Sequence, residues 1–189
     1  MGRSVSWLME YSTRPGDTLD RVGGVPSHLP YVWPRCQACQ GRMAFVGQLY
    51  ASERLPLDGH LALQFYVCDR CREARKWLHM EALPKDSPAN DRGAGVRCAS
   101  QPRRHIRYTR VEDSMDQWAF LRRRLAEEEL TDIHLRRDKV GGLFPYDGAE
   151  GTRITRQNRM VAQFVWPGVG AAVYLYRSAK YGFYPYLYW

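Results

Sequence analysis

The chain has no run of apolar residues approaching the roughly 20 needed to cross a bilayer. Its first residues, MGRSVSWLMEYSTRPGD, lack the apolar core of a secretory leader. A soluble, cytoplasmic protein is the expectation. Also missing are a His-Glu-x-x-His, a Gly-x-Ser-x-Gly and a P-loop. A zinc deaminase needs His-x-Glu ahead of Pro-Cys-x-x-Cys; here His79-Met80-Glu81 follows the cysteine pairs and Arg35 separates Pro34 from Cys36. His28, His60, His79, His105 and His134 are scattered singly, and a lone strand histidine is more often structural than catalytic. His60, which opens a strand-like run, is expected to anchor the loop before it by hydrogen bonding. These absences point away from an enzyme.

Cysteine is sparse, and none occurs after Cys98. Four of the five nevertheless fall into two pairs, Cys36-x-x-Cys39 and Cys68-x-x-Cys71. Between the pairs lie Arg42 to Tyr50 (RMAFVGQLY) and His60 to Val67 (HLALQFYV), separated by ERLPLDG. Aromatic, branched and leucine residues around a Pro, Asp and Gly loop read as an antiparallel hairpin. The first pair precedes the outgoing strand and the second follows the returning one, so all four sulfurs meet at one end. Four thiolates there make a closed tetrahedral Zn²⁺ site of the structural kind. The gap between the pairs exceeds the usual zinc spacing, so the strand context carries part of the inference. The competing reading, two disulfides, needs an oxidising compartment. Cys98 reads as a buried or idle thiol.

The 189 residues suit one domain or two small packed halves, and 44% hydrophobic content is enough for a core. A net charge of +8 favours an acidic partner. That charge is uneven: Arg92, Arg97, Arg103, Arg104, Arg107 and Arg110 follow one another without an intervening acid. Such a run is either a solvated loop or a binding patch. Aromatics crowd the end, YLYRSAKYGFYPYLYW, and their alternation points to buried strands.

Taken in order, a short strand is expected around Val5 to Met9, and Asp20-Arg21-Val22-Gly23-Gly24-Val25-Pro26 marks a tight turn. A further short strand is expected within Glu73 to Ala82, and a loop over Leu83 to Arg104. Met115, Trp118, Leu121 and Leu125 recur at helical spacing behind a cap at Asp113 or Ser114, predicting a helix to about Leu130. Asp138-Lys139-Val140-Gly141-Gly142-Leu143 then echoes the first Gly-Gly turn. Met160 to Phe164 and Gly168 to Tyr176 echo the hairpin strands in the same order. The expected class is therefore α+β, mainly β: two pseudo-repeated lobes, each a Gly-Gly turn plus β-hairpin around antiparallel sheets, with one connecting helix and a zinc-ribbon-like knuckle in the first. Residues 1–83 form the zinc-containing lobe, 84–137 the basic loop and helix, and 138–189 the cysteine-free lobe, the lobes packing intimately enough to make one domain. Arg153, Arg156, Arg159, Arg177 and Lys180 stand where the second lobe would converge, either splayed into water or holding an acidic partner.

Val22-Gly23-Gly24-x-Pro26, the Cys-x-x-Cys, Met43-x-Phe45-x-x-Gln48-Leu49-Tyr50 and Gly59-His60 leading a strand into Cys68 resemble the programmed cell death protein two family. They are similar also to the bacterial YwqG family. The likeness is best over residues 20–71 and returns faintly over 138–189; His28 stands where the eukaryotic relatives usually have Trp. The resemblance implies a two-lobed β-rich protein that binds other proteins, as a ribosomal-protein chaperone or in toxin and immunity settings. A positively charged chain is a poor holder for a basic ribosomal protein, which favours an immunity or adaptor role toward an acidic face. The expected partner is a cognate toxin or chaperone client, met through Arg103, Arg104, Arg107, Arg153, Arg156, Arg177 and Lys180. The alternative is a zinc-ribbon nucleic-acid-binding protein using the basic loop.

Overall fold

The computed structural model of the chain describes residues 4–71, 78–90, 96, 98, 101–113, 138–141, 158–165, 172–180 and 182–188. Among them are ten strands and no helix: β1 (Ser4–Ser12), β2 (Arg21–Val22), β3 (Ala44–Tyr50), β4 (His60–Val67), β5 (Leu78–Pro84), β6 (Arg104–Asp113), β7 (Lys139–Gly141), β8 (Asn158–Phe164), β9 (Ala172–Ser178) and β10 (Gly182–Tyr188). The α+β expectation is thereby corrected to an all-strand architecture. Asp113, expected as a helix cap, is the last residue of β6, and residues 114–130, expected to be helical, lie outside the described residues. The basic run is likewise no simple loop, since Arg104, Arg107 and Arg110 belong to β6.

The chain divides into two compact units, Tyr11–Arg107 and Met1–Glu10 with Tyr108–Trp189. In the first, the strand order is β6-β2-β3-β4-β5, every pairing antiparallel. β3 and β4 form the expected hairpin, with Gln48 opposite Gln64 and Ala44 opposite Val67. Both are buried along nearly their whole length, so their apolar runs are covered on two faces and not one. Met43, Phe45, Leu49, Leu63, Phe65, Tyr66 and Leu83 make the core. The bulk of that apolar burial stabilises the unit, at roughly 1.5–3 kcal/mol for each large side chain.

Two glutamines sit fully buried inside this apolar pair, and their amides are saturated. Gln48 donates to Leu19 O and Ser27 Oγ, both at 2.9 Å, and accepts from the Ser27 N–H at 3.1 Å. Gln64 donates to His28 O at 2.8 Å and accepts from the Tyr66 hydroxyl. Together they hold the segment from Leu19 to His28 across the sheet. The Gly23–Gly24 turn has φ of 71° and 66°, as its glycines predict. A Cβ on Gly23 would stand 2.5 Å from Pro102 O, so the backbone of residues 101–103 passes too close for any side chain there.

In the second unit the order is β10-β9-β8-β7-β1, again antiparallel. Val140, Ala162, Phe164, Val173, Leu175 and Tyr176 form its core. Several local features match those of the first unit. Asp20 accepts the backbone N–H of Tyr50 just at the end of β3, and Asp138 accepts that of Val165 just past β8, at 2.6 Å. Arg21 lies opposite Gln48, and Lys139 opposite Gln163. The register slips once in each hairpin, leaving Val46 and Val161 as the extra residues of a β-bulge. Gly141 repeats the φ of Gly23, 71°.

These contacts set a test of the glycine turn. Gly23→Ala combines a left-handed backbone with the Pro102 clash and is expected to destabilise by about 2–4 kcal/mol. Gly59→Ala has positive φ but open space around its Cβ position, and should cost only about 1 kcal/mol. Chemical denaturation of both variants measures the difference; equal costs would mean that residues 101–103 move aside freely.

Candidate metal centre

The β3–β4 hairpin carries a cysteine pair at each free end. Cys36 and Cys39 precede β3, Cys68 and Cys71 follow β4, and the Ala44–Val67 pairing brings those ends together. The first pair lies on a tight knuckle. Gln40 donates its N–H to Cys36 O at 2.8 Å, Cys36 donates to Gly41 O at 2.9 Å, and Arg35 bridges Arg42 to close it. Gln40 takes the left-handed conformation, φ 58°, and a Cβ on Gly41 would sit 3.3 Å from Cys39 Sγ. The second pair turns through the Cys71 N–H to Cys68 O bond at 3.3 Å.

The knuckle is fastened to the core beside it. Trp33 donates its indole N–H to Met43 O at 2.8 Å and packs edge-on to Tyr66, centroids 5.2 Å apart. Arg42 lies over the indole ring at 5.4 Å. Burial raises the Tyr66 phenol far above its ordinary range, with Glu81 adding to the effect, so it remains a neutral donor.

All four sulfurs lie within 4.8 Å of one another, and Cys39 Sγ is 3.6 Å from Cys68 Sγ. A tetrahedron built on zinc–sulfur bonds of about 2.3 Å has edges of about 3.8 Å, so small side-chain adjustments bring the four sulfurs onto such an ion. No disulfide joins the five cysteines, and the 3.6 Å between Cys39 Sγ and Cys68 Sγ is well beyond a disulfide bond. The thiols also oppose one another electrically. Backbone N–H groups, first that of Cys39, draw the Cys36 thiol down to about 7. Hydrogen bonding with Cys39, then burial, pushes Cys71 up to about 12, and burial pushes up Cys68. One thiolate can form readily and then disfavours the others; a divalent cation at the centre lets all four ionise. These cysteines could hold a metal ion, and four protein ligands leave it no open position for a substrate.

Cys98 stands outside this cluster, bridged to Phe45 in the sheet, with burial raising its thiol. His60 holds the β3–β4 loop, its Nδ1 and its N–H both 2.9 Å from Leu57 O, the anchoring expected of it. Of the basic residues expected at a partner surface, Arg103 and Arg107 lie with His105 on one face of the β6 region, where His105 faces Arg21. Arg104 faces Val22 and therefore belongs to the opposite face. Arg177 is half-buried in β9 opposite Arg159, and Lys180 is exposed on the turn that follows. Arg153 and Arg156 lie outside the described residues. Sequence reasoning overlooked Arg21, which is only 5% exposed; its signal was the cation between Asp20 and the Gly-Gly turn.

Among the described residues no helix is long and apolar enough to cross a membrane. Metal binding at the cluster should depend steeply on pH. Near pH 8 an entering ion must displace at least the Cys68 and Cys71 protons, and below about pH 7 the Cys36 proton as well. Cobalt(II) titrations followed by thiolate-to-metal absorption should show apparent affinity rising about a hundredfold or more per pH unit near pH 8, and more steeply below 7; a flat profile would exclude a four-thiolate site. No family model and no curated protein matches the chain.

Proposed function

We propose that the chain is a non-enzymatic, cytoplasmic protein-binding protein with one structural zinc at Cys36, Cys39, Cys68 and Cys71, acting as an immunity or chaperone-type adaptor toward a partner with an acidic face. The observation that carries this reading is the cluster itself. Cys36 and Cys68 are almost fully buried, at 1% and 4% exposure, and tie the ends of the central hairpin together. A thiolate-only site of this kind favours a soft tetrahedral ion and contributes to folding, not to catalysis.

Two further features support an interface. Beside the knuckle, Tyr31 and Val32 are 65% and 80% exposed, large apolar side chains next to a rigid, metal-held turn. The basic face at Arg103 and Arg107 supplies charge for an acidic surface. His28, His60 and His79 are each engaged, with the Tyr50 hydroxyl, Leu57 O and the Glu81 carboxylate, which suits structural roles. The matching Asp, bulge and glycine positions of the two units are consistent with the duplicated plan of the YwqG and programmed cell death protein two families, and we propose that relationship on those features. The same arginines keep a nucleic-acid partner as the second reading.

Two measurements test this. Purified protein should contain one zinc per chain, and Cys68→Ser should lose both the metal and several degrees of melting temperature, because binding and folding are coupled. Retention of both would remove the structural-zinc claim. The intact protein used as bait in lysate of its native host, washed at low and high salt, should keep one stoichiometric protein at high salt. Nucleic acid released as salt rises would favour the second reading instead.

A further inference from the structure

We propose that Arg21 and Arg103, with His105 between them and Arg107 at the rim, form an oxyanion site that takes a phosphate or carboxylate group. The site lies entirely within Tyr11–Arg107. Its floor is Arg21, a guanidinium-bearing residue only 5% exposed whose Nε has no hydrogen-bond partner. Arginine is almost never buried without a counter-group, yet among the described residues no carboxylate pairs with this one. What surrounds it is more positive charge. Burial and the neighbouring Arg103 both push the Arg21 guanidinium below its ordinary range. His105, directly opposite Arg21 across the β2–β6 ladder, is held down by burial and by Arg103, Arg21 and Arg107.

Exposed cations usually relieve such repulsion by swinging into water. Arg21 cannot, because the segment from Leu19 to His28 is tied over the sheet by Gln48 and Gln64. Arg103 is exposed, but its stem is seated against the turn. Its side-chain stem crosses the Gly24 position so closely that a Cβ there would lie 2.9 Å from Arg103 Cβ and 3.2 Å from its Cγ. The second glycine of the turn is thus a seat for Arg103, as the first is for the backbone of Pro102. Arg107 spends one N–H on Pro15 O at 3.2 Å, leaving its remaining donors for the rim. Tyr50 is near enough to Arg21 to interact, but its hydroxyl is joined to His28 Nδ1. It supplies no anion at neutral pH.

An oxyanion with two adjacent acceptor oxygens resolves all of this at once. It offsets the charge of the Arg21 guanidinium, meets the Arg103 fork, and relieves the repulsion among three guanidinium groups and an imidazole. Phosphate and carboxylate share the needed geometry. The site stands apart from the protein-binding reading, since a small anion can bind here whether or not a protein partner exists.

The test uses the full chain, titrated with sodium phosphate, sodium succinate or sodium chloride at matched ionic strength, and followed by thermal melting and calorimetry. Phosphate or succinate should stabilise saturably where chloride does not; whichever of the two binds more tightly identifies the source chemistry. Arg103→Ala should weaken that saturable binding about tenfold or more. Arg110→Ala, on the same strand with Glu112 at 4.0 Å, should leave it unchanged. Should Arg103→Ala lower the melting temperature in chloride alone, Arg103→Gln keeps the stem over Gly24 and gives the same comparison. Equal effects of all three salts, or a saturable shift that Arg103 variants do not weaken, would overturn the site.

Discussion

The unit formed by Tyr11–Arg107 depends on one close backbone approach, that of residues 101–103 against the Gly23–Gly24 turn. At that approach, Gly23 donates its N–H to Val46 O at 2.7 Å and Gly24 donates to Gln101 O at 3.3 Å. The turn therefore continues the pairing of the two-residue strand β2 beyond its formal end. Without it, β2 would contribute only two residues of ladder on each side, too few to order a strand between β3 and β6. The extra residue of the β3 bulge is Val46, whose carbonyl receives that N–H, so the bulge and the turn are parts of one device. The same approach delivers Arg103 onto the face that Arg21 already occupies. Backbone geometry here determines where charge gathers.

The second unit keeps the device and changes its chemistry. Asp138 caps the strand pair and also accepts the Met9 N–H through its backbone carbonyl at 2.8 Å, which draws β1 against β7. Gly141 again has a left-handed backbone, with Val5 O 3.2 Å from where a Cβ would be. Lysine replaces arginine at the buried cation position, and a lysine offers a compact point charge in place of a planar fork. A shared scaffold with different cations explains why an oxyanion site in one unit need not recur in the other.

The cysteine pairs, the hairpin between them and the glycine turns were legible in the sequence because each rests on residue types with few alternatives. A thiol pair at Cys-x-x-Cys spacing has little to do except bind metal or bridge, and paired glycines have little reason to persist except positive φ or close approach. β6 was not legible, although Ile106 and Tyr108 alternate as a strand requires; the density of arginine made the stretch read as a solvated loop. Strand propensity depends on what covers each face, and here one face holds the fully buried Ile106 while the other gathers cations around Arg21.

The two hairpins also show how differently the end of a strand pair can be held. At the β3–β4 ends four thiols converge, and a single ion held there would fasten both chain segments to the core through Trp33 and Tyr66. At the matching end of β8–β9 the register sets Arg159 opposite Arg177, and no cysteine stands there. That hairpin finds its restraint on its other side. All seven residues of β10 pair with β9, and Tyr176 stacks on Tyr184 with centroids 5.7 Å apart and planes within 19°. A metal clamp acts at a point and disappears with the ion or with acid, whereas strand pairing is spread along its length and needs no ion. A metal held by the cysteines would therefore make the stability of their unit follow metal supply and pH, whereas the β9–β10 pairing of the cysteine-free unit calls for no ion.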